Sequence, residues 1–204
     1  MQTIEGVYVA NVTPFRDDAS LSVDVDSYLT HVSWLSEMGV RGVVPFGTNG
    51  EGPSVTLREK LRVLEALFER DLSIQIIPTV MQGNLPDTLE MVAALNGYPV
   101  TAVLVLPPYY FKPATSEGLK RFFEPVLEAA RHPVILYHVP KYAVPVPEEV
   151  VTSLLVWGVK DSGGEDGYAE TRHGAPMGTV RPPFVPLPAD YDPEPVLSAS
   201  LAAP

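Results

Sequence analysis

The stretch "AVLVLPPYYFKPATSEGLKRFFEPVLEAARHPVILYHVP", residues 102–140, decides the fold. The runs at 102–106 and 133–137 are apolar without alternation, which is typical of strands covered on both faces by helices. Between these runs, residues 116–131 have a helical pattern, with Ser116 at its start followed by Glu117. A strand, a helix and a second strand in this order indicate a βα unit with parallel strands.

The same alternation of short apolar runs and longer helical patterns extends in both directions along the chain. We predict strands near residues 7–11, 42–45, 74–78, 102–106, 134–137 and 156–160. We predict helices near residues 23–38, 57–70, 86–95, 116–131 and 147–155. Ser22 or Asp24 is expected to cap the first helix, and Thr56 with Glu59 has the spacing of a capping box.

Beyond these elements the sequence changes character. Eight prolines follow Arg172, and neither a helical nor a strand period is present. We therefore predict two segments: a partial barrel domain at residues 1–171 and a proline-rich C-terminal tail at residues 172–204. The tail is expected to be coil and not a further βα repeat.

Composition narrows the classes of function. A length of 204 residues with 46% hydrophobic and 19% charged residues suits one globular core. The formal charge of −11 argues against nucleic acid as a partner, because scattered basic residues cannot neutralise a phosphate backbone. No apolar run has the length of a membrane span, and the start of the sequence lacks a secretory pattern, so we expect a cytoplasmic protein. The absence of cysteine excludes disulfides and thiolate catalysis, and the four histidines show no metal-binding spacing.

Polar side chains follow several of the predicted strands. Lys160, one of only five lysines, closes the apolar run 156–159, and Tyr137 with His138 ends the preceding strand. Tyr109 and Tyr110 follow the strand at 102–106, and the glycine-containing turn "GTNGE" follows the strand at 42–45. In α/β enzymes the carboxyl ends of parallel strands carry the chemistry, so these groups form a candidate site.

Each of these groups has a functional and a structural interpretation. A lysine amine held partly out of water can attack a carbonyl, and a tyrosine hydroxyl beside it can carry the proton. The backbone N–H groups of "GTNGE", near a helix N-terminus, suit a carboxylate or a phosphate. Alternatively, the lysine could extend into solvent, the tyrosine could be a core residue, and the turn could be an ordinary connection.

Four motifs, "GTNGEGPSVTLREK", "PPYYFKP", "PVILYHVP" and "GVKDSGG", resemble in order and spacing the pyruvate-dependent class I aldolases. This is the dihydrodipicolinate synthase and N-acetylneuraminate lyase family, and the resemblance extends from about Gly6 to Gly164. It implies an α/β fold of the TIM (β/α)8-barrel type. Such a barrel has eight βα units in about 250 residues, so a chain with about six strands is expected to be incomplete.

The resemblance also implies roles for individual residues. Lys160 matches the lysine that forms a Schiff base with C2 of pyruvate or another 2-oxo acid, and Tyr137 matches the tyrosine that relays protons. Tyr110 matches a second relay tyrosine that many members lend across a subunit interface, which implies a homo-oligomer. The family's loop for the substrate carboxylate corresponds to Gly47, Thr48 and Asn49.

No metal or organic cofactor is required by this chemistry. The family has no role for His138, which is expected to be structural or to face solvent.

Two departures from the family pattern leave alternatives open. Tyr142 stands where dihydrodipicolinate synthase has an arginine, and Asn49 stands where it usually has threonine. These differences favour a 2-oxo acid aldolase, closest in motifs to 4-hydroxy-2-oxoglutarate aldolase, over a 4-hydroxy-tetrahydrodipicolinate synthase. The apparent loss of two strands, with a join between Tyr168 and Gly178, also allows a catalytically silent member whose open sheet edges need cover.

Overall fold

A computed structural model describes residues 4–70, 72–154, 156–163 and 178–180. These residues divide between two compact units: an N-terminal unit within residues 5–76, and a C-terminal unit within residues 77–181 that also includes Ile4. Each unit has its own parallel sheet. None of the described helices is long and apolar enough to cross a membrane.

The N-terminal unit contains a three-stranded parallel sheet in the order β1-β2-β3. The strands are β1 (Tyr8–Val9), β2 (Gly42–Val43) and β3 (Gln75–Ile76). The helices are α1 (Val25–Glu37) and α2 (Leu57–Phe68), with a short 3-10 helix at Gly52–Ser54 before α2. The caps predicted for α1 and α2 are confirmed: Asp24 accepts the Ser27 N–H, and both arms of the box between Thr56 and Glu59 are formed. The cap expected at Ser116 is corrected, because Thr115 caps that helix and accepts the Gly118 N–H.

Lys60 is the buried cation of this unit. It lies on α2 with 0% of its surface exposed, and burial lowers the pKa of its amine to about 8 from 10.5. As the pH falls, Lys60 is therefore protonated at a higher pH in the unfolded chain than in the folded chain. Between pH 10.5 and about 8 this difference lowers the free energy of unfolding, and below about pH 8 it lowers it no further.

We expect Lys60→Met to separate this effect from other titrations. As the pH rises from 8 to 10.5, the free energy of unfolding of the wild type should rise by roughly 3 kcal/mol relative to that of the variant, since each pKa unit is worth about 1.4 kcal/mol. Urea unfolding of both proteins across this range measures the difference. A constant difference at all pH values would show that the Lys60 amine stays charged in the folded chain.

The C-terminal unit contains a five-stranded parallel sheet in the order β4-β5-β6-β7-β8. Its strands are β4 (Thr79–Val80), β5 (Val103–Val105), β6 (Val134–His138), β7 (Gly158–Asp161) and β8 (Gly178–Val180). The helices α3 (Leu85–Leu95), α4 (Ser116–Ala129) and α5 (Glu148–Ser153) pack in succession, α3 on α4 and α4 on α5. Every residue of β5 and β6 is buried, as the unbroken apolar pattern of these strands predicts.

The register between β6 and β7 positions the candidate site. Tyr137 lies opposite Lys160, and His138 lies opposite Asp161, at the carboxyl ends of the two strands. Because the strands are parallel and adjacent, the side chains of paired residues project to the same face of the sheet. A one-residue slip would move Lys160 to the other face.

The structure corrects two expectations about strands. The strand predicted at 74–78 is observed at its centre as β3. A further strand that was not predicted, β4, begins just beyond it in a different sheet, after Pro78, which has no N–H for a ladder. The tail was expected to be coil throughout, yet β8 within it pairs in parallel with β7. Without β8, the N–H and C=O groups on this edge of β7 would have no partner strand. Thr179 and Val180 are β-branched, which favours a strand at this position.

Other predictions about the end of the chain lie outside the described residues. These are the boundary between the domain and the tail, the internal join, and the conformation of the tail beyond Val180.

Candidate active site

Lys160 and Tyr137 are in direct contact at the carboxyl ends of β7 and β6. The Lys160 Nζ lies 3.8 Å from the centroid of the Tyr137 ring, within the usual range of a cation–π contact. Tyr137 is buried, with 5% of its surface exposed, and Lys160 is partly exposed. The lysine side chain thus lies against the neighbouring strand and does not extend away from it into solvent.

Ser162 provides a second contact for the lysine. The Lys160 Nζ donates a hydrogen bond to the Ser162 Oγ over 2.8 Å. Sequence reasoning did not single out Ser162, although a residue two positions beyond Lys160 projects to the same face when the strand conformation continues. That spacing is the signal that could have found it.

The turn after β7 is held in place by two further hydrogen bonds. The Ser162 N–H donates to the His138 carbonyl over 2.8 Å, and the Gly163 N–H donates to the Asp161 carboxylate over 2.8 Å. A Cβ at Gly163 would lie 3.0 Å from the His138 Nε2, so the close approach of the turn to this ring suits glycine. The hydroxyl of Ser162 therefore sits on a fixed backbone.

His138 is structural, which is the first of the two expected roles, and it does not face solvent. It is 3% exposed, and its Nδ1 accepts the N–H of Val146 over 3.2 Å. A nitrogen that accepts a hydrogen bond carries no proton, so the neutral ring has its proton on Nε2. The contact ties the loop after β6 back to the strand that carries Tyr137.

The two tyrosines after β5 have different environments. The hydroxyl of Tyr109 faces Gly83, where a Cβ would lie 3.3 Å from it. Tyr110 is 77% exposed, and its ring packs edge-to-face on Phe111, which is 80% exposed. Within the described chain, Tyr110 is thus placed on the surface with a second large apolar side chain.

The turn "GTNGE" belongs to the N-terminal unit and is internally bonded. The Gly52 N–H donates to the Gly47 carbonyl, and the Glu51 N–H donates to the Thr48 carbonyl. Gly47 is buried, Thr48 is half-buried and Asn49 is exposed.

Gly50 is required by the same turn. The Thr13 hydroxyl donates to its carbonyl over 2.7 Å. A Cβ at Gly50 would lie 2.9 Å from the Asn11 carbonyl oxygen, a contact that real Cβ atoms do not make. The segment after β1, which contains Asn11 and Thr13, therefore constrains the turn at Gly50. The sequence analysis did not predict this contact.

The helix after this turn begins at Leu57, as predicted, but the turn does not lead into it directly. The short 3-10 helix at Gly52–Ser54 lies between the turn and α2. The Glu59 N–H in its first turn is already bonded to the Thr56 hydroxyl. The first turn of α2 is thus occupied by its own cap.

Comparison with known proteins places the chain in a family. The Dihydrodipicolinate synthetase family model matches residues 3–171. The 4-hydroxy-tetrahydrodipicolinate synthase of Methanococcus maripaludis is 38% identical over 138 residues, which are 67% of this chain and 46% of that protein. The enzyme of the same name from Rhizobium meliloti is 33% identical over 167 residues, 78% of this chain and 56% of that protein. The chain thus spans about half the length of the curated relatives it matches.

Solved structures of related enzymes resemble this chain as well. A 2-keto-3-deoxygluconate aldolase variant from Sulfolobus solfataricus, in complex with pyruvate, matches with a TM-score of 0.71 and 26% identity. That match covers 77% of this chain and 53% of the aldolase. Dihydrodipicolinate synthase from Bacillus anthracis matches with a TM-score of 0.73 and 27% identity, covering 81% of this chain and 57% of the synthase. The predicted fold class, an incomplete (β/α)8-barrel, is confirmed, and the chain belongs to the dihydrodipicolinate synthetase family.

Proposed function

We propose that this chain is a class I aldolase or lyase that forms a Schiff base between Lys160 and pyruvate or a related 2-oxo acid. One observation carries the proposal: the Lys160 Nζ lies against the Tyr137 ring at the carboxyl ends of adjacent parallel strands. The two residues occupy the positions at which the sequence resembles the family's nucleophile and proton carrier. Membership of the family supports the same chemistry.

In the proposed mechanism the neutral Lys160 amine attacks C2 of the 2-oxo acid and forms a carbinolamine. Loss of water leaves a protonated imine, which accepts the electron pair from C3 when a C3 proton or the C3–C4 bond is released. The resulting enamine takes up a proton or attacks an aldehyde, and water then hydrolyses the imine. The Tyr137 hydroxyl is the proposed carrier of protons to and from the carbinolamine oxygen and the aldehyde oxygen.

Gly47, Thr48 and Asn49 are the proposed binders of the substrate carboxylate, as the resemblance implies. The exposure of Asn49 and the two hydrogen bonds that hold the turn support this role, because a fixed turn presents its side chains in one arrangement.

Tyr110 is the proposed second member of the proton relay, in a homo-oligomer. A surface position beside Phe111 supports a role at a subunit contact, since large exposed aromatic side chains are enriched at interfaces.

A second candidate is 4-hydroxy-tetrahydrodipicolinate synthase, the name of the curated relatives in Methanococcus maripaludis and Rhizobium meliloti. Tyr142 favours the aldolase instead, because it occupies the position of the synthase arginine and is 49% exposed with the Lys141 amine over its ring. Supplying the pyruvate-loaded protein with aspartate semialdehyde, glyoxylate or glyceraldehyde distinguishes the two. Consumption of the semialdehyde alone would select the synthase.

Reductive trapping tests the proposed function. We expect the protein, incubated with pyruvate and borohydride, to gain the mass of one reduced pyruvyl group, and peptide mapping to locate it at Lys160. The reduction adds hydride to the imine carbon and leaves a stable secondary amine. Absence of the adduct from folded protein would favour the silent, truncated member of the family.

A further inference from the structure

Ser162 is part of the motif "GVKDSGG", and the proposed function leaves it without a role. Its Oγ accepts a hydrogen bond from the Lys160 Nζ over 2.8 Å, while the same nitrogen lies over the Tyr137 ring. These are two different kinds of contact: a hydroxyl oxygen that accepts a hydrogen bond, and an aromatic face that attracts positive charge.

We propose that Ser162 is a positioning residue that accepts the N–H of the protonated imine on Lys160 and thereby keeps that nitrogen protonated during turnover. The inference rests on the proposed function, since it concerns the intermediate that Lys160 forms. It is based on the number of N–H donors on the Lys160 nitrogen, which falls when the amine becomes an imine. An ammonium has three N–H bonds, and a protonated imine keeps only one.

The single N–H of the imine needs an acceptor close to the position of the amine. A protonated imine accepts an electron pair from C3, whereas a neutral imine does so poorly, so loss of this proton stops catalysis. The Ser162 Oγ already accepts from the nitrogen in the free chain, and the Tyr137 ring attracts the remaining positive charge. Both contacts stabilise the charged form of the imine relative to the neutral one.

The serine hydroxyl is held in place before substrate arrives. The Ser162 N–H is bonded to the His138 carbonyl, and the next N–H along the chain, that of Gly163, is bonded to Asp161. The backbone of the turn is therefore fixed on both sides of the hydroxyl, and accepting the imine N–H requires little reorganisation.

The titratable groups around Lys160 in this sheet are few. β6 contributes Tyr137 and His138, β7 itself contributes Asp161, and β8 contains only glycine, threonine and valine. None of these residues is altered when Ser162 is substituted, so a change in pH dependence can be traced to the serine hydroxyl.

Cyanoborohydride trapping with saturating pyruvate across a pH series tests the proposal, because this reagent reduces the protonated imine and not the neutral one. The proteins compared are the wild type, Ser162→Ala and Ser162→Thr. We expect the loss of trapping at high pH to begin about one pH unit lower in S162A, the size of one exposed hydrogen bond to a charged group. In S162T, which keeps the hydroxyl, trapping at high pH should return to the wild-type profile.

Other outcomes overturn the proposal. A uniform fall in trapping at every pH, without movement of the high-pH limb, would mean that Ser162 only shapes the turn. An unchanged pH profile in S162A would mean that water accepts the hydrogen bond of the imine N–H equally well. If borohydride trapping succeeds in the wild type, either result overturns the role of Ser162 and leaves the proposed function unaffected. If the folded wild type forms no adduct with pyruvate at any pH, the proposed function and the role of Ser162 fail together.

Discussion

Replacing Lys160 with methionine is expected to abolish the borohydride-dependent adduct with pyruvate. Methionine keeps a flexible side chain of similar length against the Tyr137 ring but has no nucleophilic nitrogen. The variant should fold, because Lys160 is partly exposed and its contacts with Ser162 and the ring are each worth only about 1 kcal/mol. Intact mass after reduction gives the extent of trapping, and urea unfolding confirms that the variant is folded.

Lys141→Met is the matched control. The Lys141 Nζ lies over the ring of Tyr142 at 5.1 Å from its centroid, so this lysine also contacts a tyrosine ring, but it belongs to the loop after β6. Its variant should form the pyruvyl adduct to the same extent as the wild type. Loss of the adduct in both variants, or persistence at an unaltered level in Lys160→Met, would contradict the assignment of Lys160 as the nucleophile.

Much of this site follows from sequence for a physical reason. Buried parallel strands read as unbroken apolar runs, so β5, β6 and β7 could be located, and a lysine that ends such a run projects at the strand's carboxyl end. The register that sets Lys160 opposite Tyr137 is a tertiary property, however, and no pattern within either strand specifies it. The resemblance to the family supplied that pairing.

The features that sequence did not reveal depend on contacts between distant segments. β8 is a three-residue strand among prolines and is defined by its pairing with β7. The start of β4 just beyond the predicted strand at 74–78 likewise depends on pairing, since β3 pairs with β2 and β4 pairs with β5. Ser162 looked like one more polar turn residue, because a hydrogen bond from a side chain two positions earlier depends on the rotamers of both residues.

Tyr137→Phe is expected to separate the two chemical steps. The substitution keeps the ring that lies under the Lys160 amine and removes only the hydroxyl. Because the imine can still form slowly with water as proton carrier, prolonged borohydride trapping should still label Lys160. Proton transfer during turnover should be slower by about 10²- to 10⁴-fold, the usual contribution of a positioned acid–base group.

Exchange of the pyruvate methyl protons for deuterium in D2O, followed by NMR, measures this loss without knowledge of the aldehyde partner. Exchange requires an imine, removal of a C3 proton and return of a deuteron, and formation of the imine uses the proton that Tyr137 is proposed to deliver to the carbinolamine oxygen. Tyr98→Phe is the control, since Tyr98 follows α3 and precedes β5, at the opposite end of the strands from Lys160. It should exchange protons at the wild-type rate. Tyr137→Phe with undiminished exchange would assign the proton to another group, and Tyr137 would then serve only as the aromatic surface on which the lysine amine rests.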